Sequence, residues 1–346
     1  RDDTRDPVPG VAGPPEPRVR DRDDRWTLAR YLPEPAGAAE ADECPRLLGS
    51  ERGGGAARLC RSTDRSPMTF RLTKHHGLGN DFLVLLGTAE DVAAVGPDHA
   101  RRWCDRRRGV GADGLLIGTI DPPRGDLGMV LFNADGSRAE MSGNGIRCLA
   151  QAEAERRGVA EIDLVVVTDD GDRSVQVRPG PDPATVEAAV AMGPARPGPA
   201  ADAEVDRRHD ATVAPAALAA EPKEAVTLDL GNPHLVLLVD DPGQVDVGLA
   251  GPRWEAAYRD GINVHAVAPT PGEADALTMA IWERGAGATE ACGTGATAAA
   301  RAAHDWGLVG DRVRVHMRGG DVDVEVGPEM VLRGPAVRIA TVEVEA

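Results

Sequence analysis

Three hundred and forty-six residues exceed one small core and suit about two domains of ordinary size, at roughly 150 residues each. Lys plus Arg total 39 against 56 Asp plus Glu, a net charge of −17, which is the wrong sign for gripping a phosphate backbone and speaks against nucleic acid as a partner. Five cysteines form no C-x-x-C pair and no ligand spacing with histidine, so neither a disulfide framework nor a metal site is expected, and a reducing cytoplasm fits best. No apolar run approaches the ~18 residues of a spanning helix, so no membrane partner is expected.

Residues 1–67 carry 9 Pro and 7 Gly but only 8 Leu, Ile, Val or Phe, too few to bury a core, and read as a disordered or non-native N-terminal extension. Met68, followed by the alternating Thr69-Phe70-Arg71-Leu72, reads as a native start. Short β-type runs then dominate: Phe82 to Leu86, Leu115 to Ile120, Met129 to Phe132, Asp163 to Val167, Ser174 to Val177, Val226 to Leu230, Leu235 to Val239 and Leu277 to Trp282. Period-two alternation on both sides of Gly319-Gly320 predicts a hairpin, and Asp170-Gly171 predicts another. Helices are expected at Pro97 to Arg107, Ile146 to Arg157 and Ala296 to Trp306, which makes the layout α+β.

The two clearest helices share one kind of start. Met141-Ser142-Gly143-Asn144-Gly145 precedes the first, and Ala291-Cys292-Gly293-Thr294-Gly295 precedes the second, 150 residues on. A repeat of small nucleophile, Gly, polar, Gly, helix predicts two similar halves, each a sheet wrapped on one helix. Gly79-Asn80-Asp81 and Gly231-Asn232-Pro233 echo the same duplication.

A side chain placed just before a glycine-rich helix start faces free N–H groups and the positive end of the helix dipole, a setting that favours an anion. For Cys292 this predicts a thiol pKa below the usual ~8.5 and a usable proton acceptor. The same glycines admit main chain close to a bound carboxylate. Asn80, Asn133, Asn232 and Asn263 each stand at a strand end or beside Gly or Pro, where an asparagine serves either its own turn or a ligand. Glu283-Arg284 closes an apolar strand before Gly285-Ala286-Gly287, as a solvated ion pair or as a clamp on a substrate carboxylate. His234 is either a satisfied core histidine or a group that tunes a neighbouring thiol.

Six blocks in order resemble the diaminopimelate epimerase family: His76-Gly77-Leu78-Gly79-Asn80-Asp81-Phe82, Gly109 to Gly114, Phe132 to Ser137, Gly143 to Cys148, Gly231 to His234, and Glu283 to Gly287 with Ala291 to Gly295. They extend across nearly all of 68–346. The resemblance implies two pseudosymmetric domains, each a β-barrel-like sheet around a central helix, spanning 68–190 and 191–346, with the last strand of the second crossing over to the first. It implies a cofactor-independent isomerase interconverting LL- and meso-2,6-diaminopimelate by two-base proton transfer in lysine and peptidoglycan precursor biosynthesis, with a homodimer expected and an amino acid as the small-molecule partner. By the family pattern Asn80, Asn133, Asn232 and Asn263 line the site, with Gly143, Asn144, Gly293 and Thr294 at the helix ends. Glu283 and Arg284 hold substrate, and His234 and Glu283 tune the acid and base.

That chemistry calls for two catalytic cysteines, and this chain has Ser142 in the place of the first and Cys292 as the second. A hydroxyl is a far weaker acid than a thiol, so it returns a proton more readily than it removes one. Cys148, inside the helix, is expected to pack rather than to substitute. Gly114, and Ala288 with Glu290, also depart from the usual family pattern, and a carboxylate at Glu290 would raise the Cys292 pKa if it pointed inward. Two further readings stay open: an isomerase or dehydratase of the same fold acting on another amino acid with Cys292 as single base, and a non-catalytic amino-acid-binding relative.

Overall fold

The computed structural model describes residues 69–202 and 222–345. The expected N-terminal extension, 1–67, and the start at Met68 lie outside the described residues. Within them, β1 (Thr69–Gly77) and β2 (Asn80–Gly87) form a hairpin, β3 (Gly114–Ile120) runs parallel to β2, and β4 (Leu127–Asn133) returns antiparallel to β3. The short β5 (Arg138–Ala139) leads into the first central helix, Gly143–Arg157, after which β6 (Ile162–Thr168), β7 (Gly171–Pro179) and β8 (Thr185–Gly193) meander antiparallel.

The order then repeats. After β9 (Arg196–Pro197), β10 (Glu224–Asp229) and β11 (Pro233–Leu238) pair antiparallel, β12 (Asn263–Pro269) lies parallel to β11, and β13 (Ala276–Glu283) returns along β12. The short β14 (Gly287–Ala288) leads into the second central helix, Gly293–Asp305, followed by β15 (Arg312–Met317), β16 (Gly320–Glu325) and β17 (Met330–Glu345). The last strand pairs with β16, then with β8, then with β1 along Thr69 to His76, so it stitches the two halves into one sheet. The boundary expected at residue 190 falls inside β8, which runs on to Gly193 because its pairing with β17 continues to that residue.

Strand alternation sorts the side chains into an inner and an outer layer. Phe82, Val84 and Leu116 face the first central helix, while Leu83, Leu85, Leu115 and Ile117 pack outward under the helix Pro97–Trp103. In the second half Val236 and Val267 face inward, and Leu235, Leu237, Val264 and Ala266 face outward. Both central helices are enclosed, the second through an alanine-rich run, Ala296 to Ala303, small enough for strands to close around it. The expected helix from Pro97 to Arg107 stops at Trp103, because the Asp105 carboxylate accepts from the Arg107 and Arg108 amides and turns the chain. Among the described residues no helix is long and apolar enough to cross a membrane.

Candidate active site

Each central helix begins three residues earlier than its hydrophobic pattern, so the glycines form its first turn. Ser142 is the N-cap of the first, in an extended conformation, and its Oγ accepts the Gly145 N–H at 3.0 Å. Cys292 caps the second in the same way, its Sγ accepting the Gly295 N–H at 3.3 Å. The two helix ends abut. A Cβ on Gly143 would lie 3.1 Å from the Gly293 Cα, and a Cβ on Gly293 would lie 3.1 Å from the Gly143 Cα, so glycine is what permits this approach. The first N–H groups of each helix have no carbonyl one turn back, so two positive helix ends converge on one place.

That place is a cavity of about 850 Å³, lined by Ser142 and Cys292 with Asn80, Asn133, Gly143, Asn144, Asn232, Asn263, Glu283, Arg284, Gly293 and Thr294. Its volume suits a small polar ligand. Every site residue expected from the sequence lines it except His234, which is buried behind the wall and reaches the site through Asn232. A second hollow of about 220 Å³, on the outer face of β3 and β4 beside Val92, Val95, Ile117 and Val130, holds none of these residues.

The polar wall is held from behind. Asn144 donates to Asn80 Oδ1 and to the Ala291 carbonyl, both at 3.2 Å, tying the first helix end to the chain before Cys292. The Arg147 guanidinium, fully buried and pulled down to about 10 by that burial, donates to Asn144 Oδ1 at 2.8 Å and to the Gly143 carbonyl at 3.0 Å. Asn80 donates to Asp113, which Arg106 bridges to Asp81. On the other side Asn263 donates to the Pro233 carbonyl and accepts from the Arg284 N–H, fixing where that arginine leaves the strand. Among the described residues Arg106 and Arg138 are each held by carboxylates, whereas the Arg284 guanidinium meets only the Asp260 carbonyl and is the cation left for an incoming anion.

The thiol departs from expectation. Burial pushes Cys292 well above its usual value, the Glu283 charge adds to this, and bonds from Thr294 and the Gly295 amide only partly oppose it. A helix end lowers a thiol pKa only while the surrounding field stays mostly its own, and here desolvation and a carboxylate outweigh it. Burial likewise raises Glu283, whose carboxylate accepts from Thr289 and lies beside the Cys292 thiol. In this pair the proton rests on sulfur. Glu290 is not the group responsible: it is more than half exposed and reaches toward Arg318, 3.8 Å away. Cys148 is fully buried and raised to about 12 by burial, as a packing residue. Gly114 has no room for a larger side chain without movement, since a Cβ there would meet the Phe132 carbonyl at 2.9 Å.

Thr289 and His265 escaped notice in the sequence. Thr289 lies in a loop with no pattern of its own, whereas His265, two residues beyond Asn263 on one strand, shares its face by period-two alternation and could have been found.

Two enclosed helices in a duplicated sheet, meeting end to end over a polar cavity with a nucleophile on each cap, define an α+β fold of the epimerase and isomerase type. A phenazine biosynthesis protein of the PhzF family from Bacillus anthracis shares it with a TM-score of 0.60 at 14% identity, covering 81% of this chain and 100% of that one. A hydroxyproline epimerase from Agrobacterium vitis shares it at 0.58 and 15%, covering 80% and 92%. The sequence profile described as "Diaminopimelate epimerase" matches residues 72–197 and 226–339, and the chain belongs to that family. Curated relatives include the diaminopimelate epimerase of Stutzerimonas stutzeri (strain A1501), 36% identical over 278 residues, and that of Pseudomonas entomophila (strain L48), 37% identical over 278 residues. Each of these comparisons covers 79% of this chain and 98% of the relative.

Proposed function

We propose that this chain is an amino-acid epimerase that interconverts LL- and meso-diaminopimelate without a cofactor, with Cys292 and Glu283 removing the α-proton and Ser142 supplying one to the opposite face. The observation that carries this reading is the equivalence of Ser142 and Cys292, capping two helices whose first glycines touch across a shared cavity. Inversion at a tetrahedral carbon needs a base on one face and an acid on the other, and two caps of opposed halves supply that arrangement. The converging N–H groups of Gly143, Asn144, Gly293 and Thr294 suit the α-carboxylate and the charge that builds on it as the proton leaves. Arg284 suits the second carboxylate of a diacid.

Substrate entry also answers how a buried, protonated thiol becomes a base. A bound ammonium and the helix ends offset the burial that raises Cys292, and its proton passes to the Glu283 carboxylate it already faces. Ser142 has no such partner among the described residues, since its Oγ contact is the Gly145 amide. Loss of the α-hydrogen to solvent is therefore faster from the stereoisomer that presents it to Cys292 than from the one that presents it to Ser142.

Ser142→Cys tests this directly. It restores a second thiol at the cap, and diaminopimelate interconversion speeds up in both directions by about a thousandfold, equivalent to ~4 kcal/mol. A rate unchanged by the substitution removes Ser142 from the chemistry. The single thiol also favours a second reading, an isomerase or dehydratase using Cys292 alone on another amino acid, and diaminopimelate left untouched by both forms points there.

A further inference from the structure

Beneath the Cys292 half of the site lies a buried imidazole pair. His234 Nδ1 and His265 Nε2 are 2.9 Å apart, and His234 Nε2 is 2.9 Å from Asn232 Oδ1. Neither ring is exposed. An amide oxygen only accepts, so His234 Nε2 carries the proton in its contact with Asn232. A second proton on His234 would bury a cation whose charged neighbours, His265 and Arg284, are themselves basic. Nδ1 of His234 is thus bare, and the contact with His265 requires a donor on His265 Nε2. His265 Nδ1, buried and without a hydrogen-bond partner among the described residues, is the bare end of the chain. Donation runs one way, from His265 to His234 to Asn232, whose Nδ2 faces Thr294 Oγ1 at 3.4 Å.

The other half of the molecule provides an internal control. Phe82 opposes Gly114 in the β2–β3 pair as His234 opposes Asn263 in the β11–β12 pair, so Phe82 and Leu116 stand where His234 and His265 stand. A Cβ on Gly145 would meet Leu116 Cδ2 at 3.4 Å, and one on Gly295 would meet His265 Cε1 at 2.5 Å. This topology therefore closes around its helix on hydrocarbon at both positions. The imidazoles are not required for packing, and an unpartnered buried nitrogen makes them the costlier choice.

We propose that His265 is a positioning residue: its donated N–H holds His234 in the Nε2–H form facing Asn232, and so sets Asn232 and Thr294 in place for the substrate. This rests on the reading above, in which those two residues hold an amino acid. His265 does not line the cavity and acts through its neighbours.

The test uses the full chain with His265→Leu, which copies Leu116, and His265→Gln, whose amide nitrogen can still donate to His234. His265→Met gives a second apolar variant should the leucine not fold. Nitrogen-15 NMR of the imidazoles reports the tautomer without any substrate. The parent and the glutamine variant show His234 as a single Nε2–H tautomer, and the apolar variants lose that single form. In diaminopimelate turnover the apolar variants raise KM about tenfold with kcat within about threefold, and glutamine restores KM. An unchanged tautomer in the apolar variants overturns the proposal, as does an unchanged KM. If the parent does not turn over diaminopimelate, the functional reading fails by itself, and the tautomer alone still decides the role of His265.

Discussion

A thiol and a hydroxyl occupy equivalent caps here, yet their surroundings differ as much as their chemistry. Cys292 faces Glu283, while Ser142 accepts one backbone N–H. Glu283 acts on the thiol in two ways, raising its pKa by charge and offering a place for its proton. Glu283→Gln separates them: the thiol becomes alkylated by iodoacetamide at lower pH than in the parent, while turnover falls by about a hundredfold or more. Faster turnover alongside the lower thiol pKa would mean that the charge only hinders. The placement of both caps was legible beforehand, since Ser142 and Cys292 each stand before Gly-x-Gly and a helix. The direction of the Cys292 shift was not. Sequence places the thiol at a helix end, but only the closed sheet brings Glu283 from the end of β13 to face it and takes the thiol out of water.

At the level of elements, everything depends on two helices meeting at their first residues. Gly143→Ala puts a methyl 3.1 Å from the Gly293 Cα and 3.0 Å from Leu332 Cδ2, inside a packed core. Relief means moving one helix end, at about 1–3 kcal/mol of stability and with a larger loss in activity than in folding. Gly96→Ala is the matched control: a Cβ there meets nothing within 4 Å, and urea midpoints should fall for the first variant and hold for the second. The helix starts were readable from caps and glycines. The end at Trp103 was not, because the Asp105 turn is made by a side chain bonding its neighbours' amides, which the charged run Asp105-Arg106-Arg107-Arg108 does not advertise. Nor does any local pattern show that β17, interrupted by Gly334-Pro335, joins strands from both halves.

For the whole molecule, buried histidines set the acid limit. Burial lowers His75 to about 4, His265 to about 3, and His234 well below its usual 6.5. Below 6.5 the unfolded chain binds these protons and the folded chain does not, so unfolding takes them up and stability falls as pH drops, until the folded rings titrate. About three protons contribute near pH 5, each worth ~1.4 kcal/mol per pH unit. His99 is lowered by burial as well, and His316, bound to Asp321 and Glu273 and raised above its usual value, is the one histidine among the described residues shifted in the opposite sense. Urea midpoints should therefore fall steeply between pH 6 and 4, and a flat profile over that range contradicts the burial of these rings. Two halves built alike are equipped differently, with thiol, carboxylate and imidazoles on one side and serine over hydrocarbon on the other, and on the proposed reading they remove a proton on one face and return it from the other. The most direct measurement is proton NMR of LL- and meso-diaminopimelate with the full chain in D₂O, following loss of the α-proton signal beside appearance of the other stereoisomer. The account predicts loss with inversion, faster from one stereoisomer than from the other; retention of the α-proton in both contradicts it.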